Sequence, residues 1–259
     1  MGRHQINWKG ELNLSGRRFA ALVSGGGSTM KRIGDACLWG KLNNLIELVL
    51  VVASKPGIGA IEKARELGLP DDRIHVCNPR DYSTPKAFGQ AIIGLFRRWG
   101  IEQIGQHGWL PLTPENVIEA YDGHIINQHP GPLDTGFPDF GGPGMYGRRV
   151  HCARLLYIQQ TGRSEDLFTE ATAHRVTPEF DRGSIIGWTS MPIRPDDTVE
   201  SIQKVLLSAE HQLQIDVLEK VALGRRLKPL VRTHRLVPDD WVPLLEECKR
   251  LACLLYPNG

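Results

Sequence analysis

Short apolar runs alternate with amphipathic stretches along most of this chain, and that alternation predicts its elements. Arg18-Phe19-Ala20-Ala21-Leu22-Val23-Ser24 reads as a buried strand, and Ile46–Ala53, Arg73–Cys77 and Ile101–His107 as three more. Between them the spacing predicts helices over Met30–Trp39, Ile58–Gly68 and Pro85–Trp99, with Pro85 at a first helical position and Gly68 as a stop. A short helix follows from Glu115 to about Tyr121. Next comes the stretch His124-Ile125-Ile126-Asn127-Gln128-His129-Pro130-Gly131-Pro132-Leu133, a strand running into a loop stiffened by two prolines. Strands and helices alternating on this scale predict an α/β fold with a parallel sheet and right-handed crossovers.

The second half has a different rhythm. Asp134 to Tyr146 is rich in Gly, Pro and Asp and reads as a loop, either a cover for a ligand or a plain connection. Gly147–Leu156 reads as a helix. Thr169–Val176 and Ser184–Met191 read as an antiparallel strand pair at the far side of the sheet, joined by Thr177-Pro178-Glu179-Phe180-Asp181-Arg182-Gly183. Pro195-Asp196-Asp197-Thr198 caps a long helix over Val199–Leu223, ended by Gly224. Leu227–Leu236 reads as a hairpin or extended arm. A last helix after Pro238-Asp239-Asp240 carries Leu244, Leu245, Cys248, Leu251, Ala252 and Leu255 on one face. The expected division is a loosely held extension over 1–17, one main domain over 18–224, and an arm with a packing helix over 225–259.

Composition narrows the class. The 259 residues are 41% hydrophobic and 23% charged, with 31 basic and 29 acidic residues and a formal net charge of +2. This balance makes no electrostatic case for nucleic acid or an anionic membrane as partner. Five scattered cysteines, none in a Cys-x-x-Cys pair, point to a reducing compartment. No stretch reads as a signal peptide or a membrane span, so the expected location is cytoplasmic. The nine histidines show no metal-ligand spacing, and no metal is expected.

Two stretches carry candidate chemistry. Gly25-Gly26-Gly27-Ser28-Thr29 joins the first strand to the first helix, a geometry that aims free backbone N–H groups and a positive helix end at an anion. Met30 stands where a dinucleotide fingerprint needs glycine, and the second strand ends in Ser54-Lys55 with no acid for a ribose, so a nicotinamide-dependent enzyme is disfavoured. Asn127 and His129 lie two apart on a strand and face the same way. An amide and an imidazole side by side suit an oxygen that turns negative during acyl transfer, or merely satisfy loop backbone. The basic run Arg225, Arg226, Lys228, Arg232 and Arg235 reads as solvated surface. His107, His124 and His151 read as ordinary, partly buried histidines.

Taken in order, four stretches give the chain a resemblance to the glycinamide ribonucleotide (GAR) formyltransferase family over about Phe19 to Arg226. They are Ser24-Gly25-Gly26-Gly27-Ser28, Asn127-Gln128-His129-Pro130, Phe180-Asp181-Arg182-Gly183 with His174 upstream, and Glu210-His211. The resemblance implies a Rossmann-like formyltransferase fold and transfer of a formyl group from 10-formyltetrahydrofolate to the amine of glycinamide ribonucleotide, in purine synthesis. It implies a catalytic trio of Asn127, protonated His129 and Asp181, with Asp181 raising the imidazole pKa. Gly25, Gly26, Gly27, Ser28 and Thr29 would hold the substrate phosphate, and Glu210 the ribose. Gly108, Trp109, Leu110, Pro111, Leu112 and His174 would line the folate pocket. Small-molecule partners and a monomer or homodimer are expected.

Departures from the family pattern surround the substrate. Gly108–Leu112 lacks the family's Arg, Gly131-Pro132-Leu133-Asp134 replaces Ser-Leu-Leu-Pro, and Arg182 replaces Gly. Arg80 and Lys86 are the candidates for a second basic group near the phosphate. A different amine acceptor and a non-catalytic folate or nucleotide binder are the competing readings. Residues 225–259 are too few for the tRNA-binding domain of a methionyl-tRNA formyltransferase, and the regulatory N-terminal domain typical of formyltetrahydrofolate hydrolases is absent.

Overall fold

The computed structural model describes residues 16–259 apart from Pro195. The extension expected over 1–17 therefore lies outside the described residues, except that Arg17 already opens the first strand. The elements in order are β1 (Arg17–Val23), α1 (Ser28–Trp39), β2 (Ile46–Ala53), α2 (Gly59–Glu66), β3 (Ile74–Val76), α3 (Pro85–Arg98) and β4 (Gln103–Gln106). They continue with α4 (Glu115–Ala120), β5 (Ile125–His129), α5 (Arg148–Thr161), β6 (Phe168–Arg175), β7 (Ile185–Pro192), α6 (Val199–Ala222) and α7 (Val242–Leu255).

One seven-stranded sheet has the order β3-β2-β1-β4-β5-β6-β7. The first five strands are parallel; β6 runs antiparallel to both β5 and β7. A central parallel strand is covered on both faces, which explains why β1 is apolar at every position from Phe19 to Val23. Phe19, Ala21 and Val23 meet α1 and α6 on one face, while Ala20 and Leu22 meet α3 and α4 on the other. A third core, between α5, α7 and the first turns of α6, sits beside the sheet.

Several boundaries differ from the periodicity. Helix α1 starts at Ser28, two residues early, because Gly27 adopts the left-handed φ of 69° that breaks the strand and opens the helix. Helix α5 continues past Leu156 to Thr161, since Tyr157 and Ile158 are core residues and Gly162 supplies the stop. Pro195 lies outside the described residues, and the cap of α6 is made by Thr198 and Ser201, each hydroxyl accepting from the other's backbone N–H. Residues 227–236 form no hairpin: the arm is extended, joined to the sheet by Leu230 N–H donating to the Ile185 carbonyl at 2.8 Å. On α7 the buried face is Leu245, Cys248 and Ala252, packed on α5, whereas Leu255 is exposed.

The basic run is not uniformly solvated. Arg232 lies over Trp188, donates to the Leu133 carbonyl at 2.7 Å and pairs with the buried carboxylate of Glu170. Arg235 pairs with Asp239. Removing one partner of a buried pair strands the other charge, a cost of about 3–5 kcal/mol. Arg232→Met should therefore lower stability by that order in denaturant titration, and Glu170→Leu with Arg232→Met should recover most of it. Equal loss in the single and double variants would contradict the pairing.

Candidate active site

The carboxyl ends of β1, β4 and β5 open into one cavity of about 630 Å³. Such strand ends are where α/β sheets collect ligands. At β1 the chain leaves through Ser24–Gly27. Gly25 and Gly26 are exposed, and no side chain caps the first turn of α1, so its N–H groups face the cavity. Gly27 must be glycine twice over: its φ is left-handed, and a Cβ would lie 2.6 Å from that of Ala60. The Ser24 hydroxyl accepts from Ser54 Oγ at 2.8 Å and Leu110 N–H at 3.0 Å, tying the glycine loop to β2 and to the loop after β4. Lys55 lines the cavity beside this loop, and Lys63 Nζ donates to the Gly26 carbonyl at 2.6 Å.

The reacting groups converge at the end of β5. Antiparallel register sets His174 of β6 opposite Asn127 and Thr172 opposite His129. Asn127 Nδ2 lies 3.1 Å from His174 Nε2, and the other ring nitrogen, Nδ1, donates to the Arg175 carbonyl at 2.8 Å. A carbonyl can only accept, so Nδ1 carries a proton, and Nε2 is the nitrogen that faces Asn127. Asp181 comes from the turn between β6 and β7, at φ 57°, a backbone conformation that costs a non-glycine residue about 1 kcal/mol or more. Its Oδ1 is 3.5 Å from Asn127 Nδ2 and 3.4 Å from His174 Nε2; its Oδ2 is 3.5 Å from His129 Nδ1 and accepts from Gly142 N–H at 2.9 Å. His129 Nε2 donates to the Phe140 carbonyl at 3.1 Å.

The charges differ from the expectation. Burial pushes the His129 imidazole below its ordinary pKa, and the attraction of Asp181 only partly opposes it. Burial thus favours the neutral ring, and because a carbonyl can only accept, the Nε2 facing Phe140 carries a proton. Burial alone would raise Asp181, but His129, His174 and the Gly142 N–H more than reverse this and hold the carboxyl well below the usual range. Asp181 is the permanent charge of the site.

The Gly/Pro-rich loop is a built part of the site. Asp139, fully buried, accepts from Asp134 N–H and Gly141 N–H, each at 2.9 Å. Asp134 in turn accepts from Leu236 N–H at 2.9 Å, and Arg182 donates to the Phe137 carbonyl at 3.0 Å. Phe140 packs edge-on against Tyr157 and beneath the buried guanidinium of Arg154. Gly142 and Gly144–Gly147 then line the cavity.

The residues expected to catalyse, and to hold the phosphate, ribose and folate, all border this one cavity; the two candidate basic residues do not. Three placements change the picture. His174 stands behind Asn127 among the reacting groups. Trp109 turns its ring into the core, stacked on Phe88 with centroids 6.3 Å apart, so its loop offers backbone and the exposed Leu110 and Leu112. Glu210 is buried and accepts from Gln128 Nε2, which points away from Asn127 as strand alternation requires; burial pushes its carboxyl up to about 8. Arg80 and Lys86 are exposed and do not border the cavity; Lys55 and Lys63 are the cations at the glycine loop. Their signal was position alone, Lys55 ending the strand next to β1. His124 is exposed, while His107 and His151 are buried cavity residues whose pKa values burial pushes down to about 3 and about 4. Among the described residues no group of three or more His, Cys, Asp or Glu is arranged to hold a metal ion, and no helix is long and apolar enough to cross a membrane.

A phosphate-type loop at one strand end, with an amide, an imidazole and a carboxylate at another, defines a group-transfer enzyme on a Rossmann-like sheet. Residues 17–218 match the formyl transferase family. The chloroplastic phosphoribosylglycinamide formyltransferase of Arabidopsis thaliana is 31% identical over 233 residues, 87% of this chain and 73% of that protein. The Vigna unguiculata protein of the same name is 29% identical over 86% of this chain, which spans 65% of its length. The crystal structure of glycinamide ribonucleotide transformylase 1 from Geobacillus kaustophilus superposes with a TM-score of 0.65 at 29% identity, over 80% of this chain and 98% of that one. The chain belongs to the formyl transferase family, with its phosphoribosylglycinamide formyltransferases, and is a formyltransferase.

Glu210 makes stability depend on pH. Its folded pKa lies above the ordinary carboxyl value, so its contribution is full below about pH 4.5 and is lost as pH rises toward 8. Glu210→Gln keeps the acceptor for Gln128 and cannot ionise. Melting temperatures of variant and parent should agree near pH 4, and the variant should lead by roughly 7–14 °C near pH 8. A constant gap across that range would show that Glu210 ionises normally.

Proposed function

We propose that this enzyme transfers the formyl group of 10-formyltetrahydrofolate to the primary amine of glycinamide ribonucleotide, a step of purine biosynthesis. The observation that carries the reading is the convergence of Asn127, His129 and Asp181 in the cavity that also holds the glycine loop. The phosphate would accept from the N–H groups of Gly25–Thr29, with Lys55 nearby to balance its charge. Glu210 and Gln128 would meet the ribose hydroxyls. The backbone of Gly108–Leu112, with Leu110 and Leu112 exposed at its edge, suits a flat heterocycle that is polar on its rim and apolar on its faces.

The folate supplies an activated formyl group on N10, and the chain's own residues do the rest. Asn127 has one N–H engaged by His174; the other has only the 3.5 Å contact with Asp181 and is available to the formyl oxygen as it gains negative charge. As the amine adds to the formyl carbon, its proton passes through Asp181 to Nδ1 of neutral His129. The imidazolium, with Nε2–H on the Phe140 carbonyl and Nδ1–H toward Asp181, offsets the negative charge of the intermediate. When the bond from carbon to N10 breaks, the proton returns from Nδ1 through Asp181 to N10. His174 is a positioning residue, holding the Asn127 amide with its N–H edge toward the reacting carbon.

Single-turnover mixing of the purified protein with formyl folate and glycinamide ribonucleotide, followed by folate absorbance, tests the reaction itself. Asn127→Ala and Asp181→Asn should each lower turnover by about 10²–10⁴ while folate affinity stays within a few-fold. Parallel loss of affinity and rate would assign these side chains a structural role. The acid limb of the kcat/KM profile should have its midpoint below about 6.5, the ordinary imidazole value. In Asp181→Asn that midpoint should fall further, because the negative charge that favours His129 protonation is gone. An unchanged midpoint would remove the Asp181–His129 coupling from the mechanism.

A further inference from the structure

The family match stops at residue 218, yet Asn258 and Gly259 border the same cavity as the reacting groups. Beyond the packing of α7 on α5, one side chain in particular holds them there. Arg149, in the first turn of α5, uses all three guanidinium nitrogens on backbone carbonyls: Nε donates to Tyr256 at 2.8 Å, Nη2 to Pro257 at 2.7 Å, and Nη1 to Gly144 at 2.9 Å. Its guanidinium also lies 4.5 Å from the centre of the Tyr146 ring. The fork thus staples the segment after α7 to the turn at 144–147. The approach is close, since a Cβ on Gly147 would sit 3.1 Å from the Gly259 carbonyl carbon.

The stapled wall adjoins the α6 side of the cavity. Helices α1 and α6 share one face of the sheet, the face on which the glycine loop opens, whereas α3 and α4 cover the other. Gln203, Leu207 and Glu210 recur at helical spacing on α6 and all line the cavity. The staple meets that helix at its start, where Arg148 of α5 is 3.8 Å from Glu200 and stacks on Tyr256. The cavity therefore runs along α6 from Glu210 past Gln203 to the wall made by Tyr146 and Asn258.

We propose that Asn258 and Gly259, held in place by the Arg149 bonds to the Tyr256 and Pro257 carbonyls, form a wall of the acceptor half of the pocket, and that Asn258 is a specificity-determining residue that selects the phosphorylated amine. A neutral amide there can both donate to and accept from an amide or hydroxyl of the acceptor, and it leaves the folate half untouched. This rests on the acceptor and donor halves assigned above.

Steady-state kinetics on Asn258→Ala, Arg149→Ala and Arg149→Lys, varying each substrate separately, tests it. Asn258→Ala should raise the acceptor KM about five- to tenfold, the loss expected for one hydrogen bond, with kcat and folate KM within about twofold. Arg149→Ala should do the same, and Arg149→Lys should not rescue it, because an ammonium cannot span three carbonyls. A rise in folate KM instead, or no change in either KM, overturns the proposal. A second readout needs no turnover. Cys253 is partly exposed, with its Sγ 4.0 Å from the Gly144 carbonyl. Thiol labelling of Cys253 should be several-fold faster in Arg149→Ala than in the parent; equal rates mean that Arg149 does not hold the wall. A parent that transfers no formyl group but shows this labelling difference would refute the proposed reaction and leave the staple standing.

Discussion

A single buried carboxylate organises the working end of this molecule. Asp181 sits on a left-handed turn, where its two oxygens face the Asn127 amide, the rings of His129 and His174, and the Gly142 N–H. These groups arrive from three strands or turns far apart in the chain. An unpaired carboxylate in such a place would be costly, and its surroundings make ionisation the stable state. The strained backbone at residue 181 is one price of that arrangement. In return the charge holds the amide in position and sets how readily the imidazole accepts a proton.

The scaffold around the carboxylate explains why the antiparallel strands matter. A sheet that stayed parallel through β6 would not place His174 across from Asn127 in register, nor turn the chain back at residue 181 beside β5. The loop from Gly131 to Gly147 completes the ring. Asp139 and Asp134 use their oxygens on backbone N–H groups, and Phe140 offers its carbonyl to His129 while its ring is held by Tyr157 and Arg154. Arg182, a departure from the family pattern, donates to this loop at Phe137. The loop that reads in the sequence as a cover or a plain connection is a strut for the imidazole.

Local order in the chain is what the sequence reading could see. The strand–glycine–helix unit at Ser24–Thr29 and the Asn-Gln-His-Pro stretch are contiguous, so their geometry follows from periodicity and turn chemistry. The pairing of Asn127 with Asp181 was legible through the order of motifs. Burial was not. The neutral state of His129 depends on how completely the 131–147 loop and α5 enclose it, and no short motif encodes that. Arg232 looked solvated because its partner, Glu170, lies 62 residues away. Lys55 was hidden because its relevance comes from β2 lying beside β1, and Arg149 because two of its three acceptors, Tyr256 and Pro257, lie more than 100 residues away.

The working end of the molecule depends on the ionisation of residue 181 in its folded setting. Carbon-13 NMR of the Asp181 side-chain carboxyl, assigned by comparison with Asp181→Asn and followed through an acid titration of the folded protein, reads that state directly. The carboxyl should remain ionised well below the ordinary aspartate value of about 3.9. A midpoint at or above that value would mean that the surrounding donors do not hold the charge, and the mechanism built on it would be wrong.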